Sequence, residues 1–331
     1  MRYPVILIRS AVTLGACALV VNLAAAQSVS PARLLVLLRD ASALAIVDPV
    51  GGKVLGQVPT AKDPHEVTVS SDGKLAFVGS PTGGISVIDI VARKELRRLD
   101  IGPGSEPHDV RMAGGKLYFT AEGYKMIGRY DPAANKMDWL LGTGQDSTHM
   151  LVLTKDMNTI FTANRLSNSV SLIEGVASGP PKWKSTAIAV PGKMPEGIDL
   201  SPDGREVWTA TRGDGGVSII DVLSRKVVHT MNLHMKDANR LKFTPDGRLV
   251  LISDPEGGAL VVVDAATRKE VRRVKLAPEA ILMSPDGARA YVGLRRDHSV
   301  AVVDLKTFEV TSRFSTGPGS GPGCMAWAET R

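Results

Sequence analysis

Short apolar stretches rich in β-branched residues recur along the chain and are separated by polar turns. One type of stretch opens a unit, as in Glu66 to Ser70, and a second follows a turn, as in Leu75 to Val78. A third ends in an acidic residue, as in Val87-Ile88-Asp89, and a fourth follows a basic residue, as in Lys226-Val227-Val228. Runs of this length and composition are typical of β-strands, so the pattern predicts units of four short strands.

The turn between the first two strands of a unit has a recurring sequence. It consists of Ser or Thr, a variable residue, Asp and Gly, as in Ser70-Ser71-Asp72-Gly73, Ser201-Pro202-Asp203-Gly204, Thr244-Pro245-Asp246-Gly247 and Ser284-Pro285-Asp286-Gly287. Proline presets φ at the second position, Asp bonds back to the chain, and Gly accepts a left-handed conformation. The sequence therefore predicts a tight hairpin connection in each of these units.

The units repeat with a period of about 43 residues. The residues that open their first strands are His65, His108, His149, Glu196, Asn239, Glu279 and Gly323. A period of roughly 40 to 45 residues with four strands per unit is the spacing of β-propeller blades. We therefore interpret the units as blades arranged around a common axis.

The two ends of the repeating region complement each other. Gly321 to Ala328 supplies only a first strand, whereas Leu34 to Val58 supplies only the remaining three. Joined in one sheet, they complete a seventh blade and close the ring. We predict an all-β fold over residues 27–331, a seven-bladed β-propeller with four antiparallel strands per blade, whose last blade is closed by N- and C-terminal strands.

Two segments of the fourth unit carry a family resemblance. Pro195 to Gly204 reads Pro-x-Gly-Ile-x-Leu-Ser-Pro-Asp-Gly, and Val217 to Asp221 reads Val-Ser-Ile-Ile-Asp. These segments resemble YVTN-type β-propeller repeats, as in the YncE-like periplasmic proteins, and the resemblance extends from about Leu34 to the C-terminus. It is weaker in the second blade, at Ala113-Gly114-Gly115, and in the third, at Lys155-Asp156-Met157-Asn158. It implies a fold and a compartment but no common reaction.

Residues 1–26 have the features of a secretory signal peptide. Arg2 and Arg9 come before an apolar stretch from Ala11 to Leu23, and Ala24-Ala25-Ala26 follows this stretch. A basic start, a short apolar core and a small-residue exit favour cleavage after Ala26 and a periplasmic protein. Because Leu14-Gly15-Ala16-Cys17 resembles a lipobox, a lipoprotein attached at Cys17 is the alternative. No later apolar stretch approaches the roughly 20 residues that span a bilayer.

The formal net charge is +6, and the basic residues are scattered along the chain. In the absence of a basic arm or a recognition helix, nucleic-acid binding is not favoured. Signal cleavage removes Cys17 and leaves Cys324 as the only cysteine, so no intrachain disulfide is possible. We expect a monomer that is stabilised by packing.

The opening residues of the first strands form one candidate site. In a propeller these strands surround the central channel, so their opening residues meet at one mouth. His65, His108 and His149 fall on consecutive blades, and Glu196 falls on the next. Since such side chains bind Zn, Cu, Fe or Mn, we predict these four residues as ligands of a divalent metal, with Glu279 as a candidate general base. The alternative is that the histidines pack the mouth or contact a ligand directly.

The loops between second and third strands reach the same face. Their tips are Arg39, Pro81, Gly123, Arg165, Arg212, Asp254 and Arg295. Guanidinium groups bind carboxylate and phosphate groups through paired hydrogen bonds. The predicted ligand-binding residues are therefore Arg39, Arg165, Arg212 and Arg295 from the tips and Asn239 from the opening column. The alternative is a set of solvated loop tips, where arginine is common.

The two columns favour a periplasmic binding or interaction propeller. Its His- and Arg-rich channel mouth would hold an acidic small molecule, a peptide or a periplasmic partner protein. The alternative is a metal-dependent enzyme of the lactonase or lyase type, since Leu117 to Glu122 and Ile127 to Pro132 resemble a blade of the streptogramin lyases, whose members use a divalent metal. No Cys-x-x-Cys-His occurs in the sequence, so covalent heme attachment is not supported.

Overall fold

The computed structural model describes Met1 and residues 32–178 and 182–329. Apart from Met1, the predicted signal peptide over residues 1–26 and its Cys17 lie outside the described residues. Within the described ranges, no helix is long and apolar enough to cross a membrane.

The strands follow one another along the chain in groups. The first three are β1 (Arg33–Leu38), β2 (Ala43–Asp48) and β3 (Lys53–Pro59). Blade 1 contains β4 (Glu66–Val69), β5 (Leu75–Ser80), β6 (Gly84–Asp89) and β7 (Lys94–Leu99). Blade 2 contains β8 (Pro107–Ala113), β9 (Lys116–Ala121), β10 (Met126–Asp131) and β11 (Lys136–Gly142). Blade 3 contains β12 (Thr148–Leu153), β13 (Thr159–Asn164), β14 (Ser169–Glu174) and β15 (Lys184–Ala189).

Three further blades and a last strand follow. Blade 4 contains β16 (Pro195–Leu200), β17 (Glu206–Thr211), β18 (Gly216–Asp221) and β19 (Lys226–Asn232). Blade 5 contains β20 (Leu241–Phe243), β21 (Leu249–Asp254), β22 (Ala259–Asp264) and β23 (Lys269–Lys275). Blade 6 contains β24 (Ala280–Met283), β25 (Arg289–Leu294), β26 (Ser299–Asp304) and β27 (Val310–Ser315). The last strand is β28 (Pro322–Ala328), and short 3₁₀ turns span Glu122–Tyr124 and Val176–Ser178.

The last blade is assembled from both ends of the repeating region. Its strand order is β28-β1-β2-β3, and Leu34 of β1 lies between Trp327 of β28 and Val47 of β2. All pairs in this sheet are antiparallel, as in the other six four-stranded sheets. This arrangement confirms the predicted seven-bladed propeller and its closure.

Each blade buries both of its faces against its neighbours. In β1, Leu34, Val36 and Leu38 pack towards blade 6, whereas Leu35 and Leu37 pack towards blade 1. Seven apolar clusters of this kind fill the seven boundaries between neighbouring blades. Because successive side chains of a strand point to opposite faces, a strand that is buried on both faces must be apolar at nearly every position.

The recurring turn closes through its own side chains. In blade 4, Ser201 Oγ donates to Asp203 Oδ1 at 2.6 Å, and Gly204 adopts a left-handed φ of +75°. Blade 3 keeps the same turn although its sequence departs from the pattern, because Met157 takes the left-handed position with a φ of +57°. The turn therefore depends mainly on the hydroxyl and the carboxylate, and glycine serves to relieve strain.

We predict that Gly204→Ala destabilises the protein by about 1–2 kcal/mol, because a Cβ at positive φ is strained. An added Cβ at Gly204 would meet no other atom, so strain is the sole expected effect. Gly142→Ala is the matched control, since its Cβ also meets nothing and its φ is not left-handed; we expect it to stabilise by about 0.5 kcal/mol. Urea unfolding measures both changes, and equal effects would contradict the assignment of strain.

Candidate functional site

The inner strands enclose a cavity of about 400 Å³ at one mouth of the channel. All ten residues that the two sequence columns predict line this cavity. They are Arg39, His65, His108, His149, Arg165, Glu196, Arg212, Asn239, Glu279 and Arg295. The other four members of the two columns, Pro81, Gly123, Asp254 and Gly323, do not line it. The structure thus brings the predicted residues together in one place, and their chemical roles remain predictions.

Irregular strand pairing shapes the mouth. The register of the inner strand shifts between Pro107 and Val110 in blade 2, between Thr148 and Met150 in blade 3, and between Pro195 and Ile198 in blade 4. Such irregularities bend a strand and re-aim its side chains. These three shifts enclose His108, His149 and Glu196, so the local backbone departs from regular pairing at three of the candidate residues.

The three histidines form a continuous row across blades 1 to 3. His65 Nδ1 lies 2.7 Å from His108 Nε2, and the ring centroids of His108 and His149 are 3.8 Å apart. At the outer end of the row, His65 Nε2 lies 3.0 Å from Asp63 Oδ2 and 2.9 Å from Arg39 Nη2. The row therefore leads from a carboxylate at the rim to a fully buried imidazole.

His65 and His108 are neutral at pH 7. Burial and the Arg39 guanidinium lower the pKa of His65 to about 4. Burial, together with the neighbouring His149, holds the pKa of His108 well below its usual range. The Nε2 atom of His108 contacts His65. The other ring nitrogen of His108, Nδ1, is buried and has no hydrogen-bond partner.

His149 lies between two carboxylates. Its Nδ1 contacts Glu122 Oε1, and its Nε2 lies 3.1 Å from Glu196 Oε1. Burial opposes the imidazolium, but Glu196 and Glu122 outweigh burial and raise the pKa of His149. Burial likewise opposes ionisation of Glu196, yet His149 and Arg165 hold the pKa of Glu196 far below its usual range. In this contact each partner therefore stabilises the charged form of the other.

One group of potential metal ligands converges among the described residues. It consists of His108, Glu122 and His149, whose donor atoms lie within 4.8 Å of one another. Glu122 is in neither sequence column. The other two predicted ligands, His65 and Glu196, lie beside this group, where each contacts the second nitrogen of one of its histidines.

Each of the four predicted arginines has a carboxylate partner. The pairs are Arg39 with Glu279 at 2.8 Å, Arg165 with Glu196 at 3.0 Å, Arg212 with Asp237 at 2.5 Å and Arg295 with Asp40 at 2.6 Å. Carboxylates therefore balance the positive charge at the mouth. Selectivity for a ligand must come from the arrangement of individual donors more than from net charge.

Glu196 is the centre of the ionic contacts in the cavity wall. Besides His149, three guanidinium groups lie within 4 Å of its carboxylate: Arg165 at 3.0 Å, Arg212 at 3.5 Å and Arg240 at 3.7 Å. The contact between Arg165 Nε and Glu196 Oε2 is close but not aligned as a hydrogen bond, so neither atom has a hydrogen-bond partner. More charged donors therefore lie near the Glu196 carboxylate than form hydrogen bonds with it.

A second layer of charge lies below the mouth. Arg240 Nη2 lies 2.8 Å from Glu66 Oε1, and the Cys324 thiol donates to Glu66 Oε2 at 2.7 Å. Arg240 Nη1 also donates to Asn239 Oδ1 at 3.0 Å. Burial and the Glu66 carboxylate raise the pKa of Cys324 to about 12. The thiol is therefore a hydrogen-bond donor to the channel wall and a poor nucleophile.

Several residues of the site were not predicted from the sequence. Asp63 and Asp237 each stand two positions before the residue that opens a first strand, and Arg240 stands one position after such a residue. An extension of the repeat alignment by two residues on each side would have included all three. Glu122 stands next to the loop-tip column in a 3₁₀ turn, so only its proximity to Gly123 could have indicated it.

The comparison with protein families gives one match. The model of the cytochrome D1 heme domain matches residues 162–291, from β13 to β25. A search of curated proteins finds no match. The matched region contains Arg165, Glu196, Arg212, Asn239 and Glu279, so it covers half of the predicted site residues.

Solved structures resemble the whole propeller. Hydrazine synthase from Kuenenia stuttgartiensis is 18% identical with a TM-score of 0.71, and the match covers 82% of this chain and 94% of that one. A protein from Lactobacillus plantarum is 15% identical with a TM-score of 0.74 and coverage of 90% and 99%. Dihydro-heme d1 dehydrogenase NirN in complex with DHE is 16% identical with a TM-score of 0.64 and coverage of 87% and 64%. The likeness shows a shared fold.

We predict that Cys324 reacts very slowly with iodoacetamide at pH 9 in the folded protein. An ordinary thiol with a pKa of 9.0 is half ionised there, whereas a pKa of about 12 leaves roughly one thiolate in a thousand. Mass spectrometry of the peptide that contains Cys324 measures the rate of alkylation. The protein unfolded in urea is the control and should react roughly two to three orders of magnitude faster. Similar rates in both states would show that the thiol is not held by Glu66.

Proposed function

We propose that this chain is a periplasmic binding propeller that holds an acidic group in the cavity at its channel mouth. The acidic group belongs to a small molecule, or to a side chain or C-terminus of a peptide or partner protein. One observation carries the proposal. Six arginine side chains line this one cavity: Arg39, Arg165, Arg212, Arg240, Arg295 and Arg296.

The guanidinium groups that line the cavity favour an oxyanion as the ligand. An incoming carboxylate or phosphate would form charge-assisted hydrogen bonds with their N–H groups. Asn239 adds to these donors, because its Oδ1 accepts from Arg240 and its amide N–H groups remain available. The cavity of about 400 Å³ is within the range that small ligands occupy.

The ion pairs at the mouth limit the affinity of the cavity for a ligand. Arg165 and Arg212 already face Glu196 and Asp237, so a ligand must share or replace these acceptors. The gain in free energy is then the difference between two sets of hydrogen bonds and is modest. Specificity would follow from the positions of the donors, and binding would depend weakly on salt.

The match to the cytochrome D1 heme domain raises the question of whether the cavity could hold a heme. The residues that line the cavity do not fit one. A flat macrocycle needs apolar walls against its faces. Of the residues that line this cavity, only Pro255 and Ala277 are apolar, and the others are charged or polar. We therefore assign the cavity to a small polar ligand and give heme no role in it.

We predict that the double substitution Arg165→Ala, Arg212→Ala weakens binding of a carboxylate or phosphate probe by at least about 10-fold, because it removes charged hydrogen bonds. Isothermal titration calorimetry with citrate, succinate and inorganic phosphate measures the affinity. The corresponding double lysine variant keeps the charge but loses the planar fork, so we expect it to bind with intermediate affinity.

Arg205→Ala is the matched control for these variants. Arg205 follows a turn at the opposite end of the inner strand, its side chain is 82% exposed, and it should leave the affinity unchanged. Thermal unfolding of every variant shows that the fold is kept. The proposal is wrong if none of the three probes binds the wild-type chain, or if the double alanine variant binds them as tightly.

A further inference from the structure

Two buried histidines and a glutamate have potential metal-ligand atoms close together at the mouth. The donor atoms of His108, His149 and Glu122 lie within 4.8 Å of one another. His149 faces Glu122 through Nδ1. His108 has its Nε2 against His65, so Nδ1 is its remaining donor, and this buried nitrogen has no hydrogen-bond partner.

The second nitrogen of each histidine is fixed by a hydrogen-bond chain that ends on a carboxylate. His149 Nε2 lies 3.1 Å from Glu196 Oε1. His108 Nε2 lies 2.7 Å from His65 Nδ1, and His65 Nε2 lies 3.0 Å from Asp63 Oδ2. If His65 Nε2 accepts from Arg39 Nη2, which lies 2.9 Å away, His65 Nδ1 donates to His108 Nε2, and His108 Nδ1 carries a proton that a metal ion must displace. If His65 Nε2 instead donates to Asp63, its Nδ1 accepts from His108 Nε2, and His108 Nδ1 carries a lone pair. This arrangement is the one that orients histidines towards a metal in known sites.

The carboxylate of the group is also oriented by the protein. Glu122 Oε1 contacts His149 Nδ1, and Ser147 Oγ donates to Glu122 Oε2 at 3.1 Å. Glu122 Oε1 and His149 Nδ1 are close enough to share a proton. A metal ion that enters the group would displace this proton, as is usual when histidine and carboxylate ligands bind a cation.

We propose that His108 Nδ1, His149 Nδ1 and Glu122 form a binding site for one divalent transition-metal ion, with zinc as the best match. Two imidazoles and one carboxylate are a donor set that zinc accepts, and three protein ligands leave a fourth position open. His65, Asp63 and Glu196 act as positioning residues, not as ligands. This assignment replaces two of the four ligands that the sequence predicts and adds Glu122.

The site has a consequence for the cavity that both histidines line. Exchange of one proton for a dication would add one positive charge beside the rim arginines. The open position would also face whatever oxyanion the arginines hold. Such an ion would supply the Lewis acid that a lactonase- or lyase-type activity requires. The site stands on its own geometry and does not depend on the proposed ligand.

The experiment is a titration of the purified full chain with Zn²⁺ in competition with a chromophoric chelator, in the absence of organic acids. We expect one tightly bound zinc per chain. Glu122→Gln, His108→Gln and His149→Gln should each weaken binding by about 100-fold. His298→Gln is the matched control, because His298 lines the same cavity but lies outside the metal-binding group. This variant should bind zinc as tightly as the wild-type chain.

The positioning role is tested with Co²⁺ as a spectroscopic probe. Asp63→Asn should weaken metal binding by about 10-fold and alter the visible absorption bands of bound Co²⁺, and Asp63→Glu should restore them in part. Thermal unfolding of each variant distinguishes loss of the site from loss of the fold. The proposal is overturned if the wild-type chain binds no stoichiometric zinc, or if a folded Glu122→Gln variant binds zinc as tightly. Neither outcome bears on the binding of succinate or phosphate by the metal-free chain, which tests the proposed function separately.

Discussion

The burial of each blade between two neighbours is the constraint on which this structure depends. A four-stranded sheet of this size has two apolar faces, and only a closed ring covers both faces of all seven. Leu34 and Leu35 show the rule within one strand, because adjacent residues pack into different boundaries. The same packing fixes the angle at which every inner strand reaches the axis. The whole ring therefore sets the backbone positions of the mouth residues, and local contacts orient their side chains.

Near the axis, apolar packing gives way to a network of charges. Glu196 faces His149 and several guanidinium groups, and below it Arg240 lies against Glu66. Buried polar networks of this kind are rigid when they are satisfied and costly when they are not. Here the Nε atoms of Arg39, Arg165 and Arg240 and the Nδ1 atom of His108 have no hydrogen-bond partner among the described residues. The network at the mouth is therefore only partly satisfied within the protein.

The sequence alone was sufficient for the fold, because a period, a turn and a complementary pair of ends specify the ring. It also located the mouth, since residues at equal positions in the repeat must meet around the axis. It could not specify which side chains pair there. Arg39 joins Glu279 across a blade boundary, and His149 turns to Glu122, a residue outside both columns. Such pairings depend on rotamers and on irregular strand pairing, and neither follows a period.

The pairing of β28 with β1 has a consequence for the biogenesis of the protein. The ring cannot close until residues 322–328 have been synthesised, because they supply the innermost strand of the last blade. Until then, β1 lacks one partner and the apolar faces beside it are uncovered. A contact between such distant parts of the chain forms late and makes folding slow. The last blade of the polypeptide thus remains incomplete until synthesis has reached its final strand.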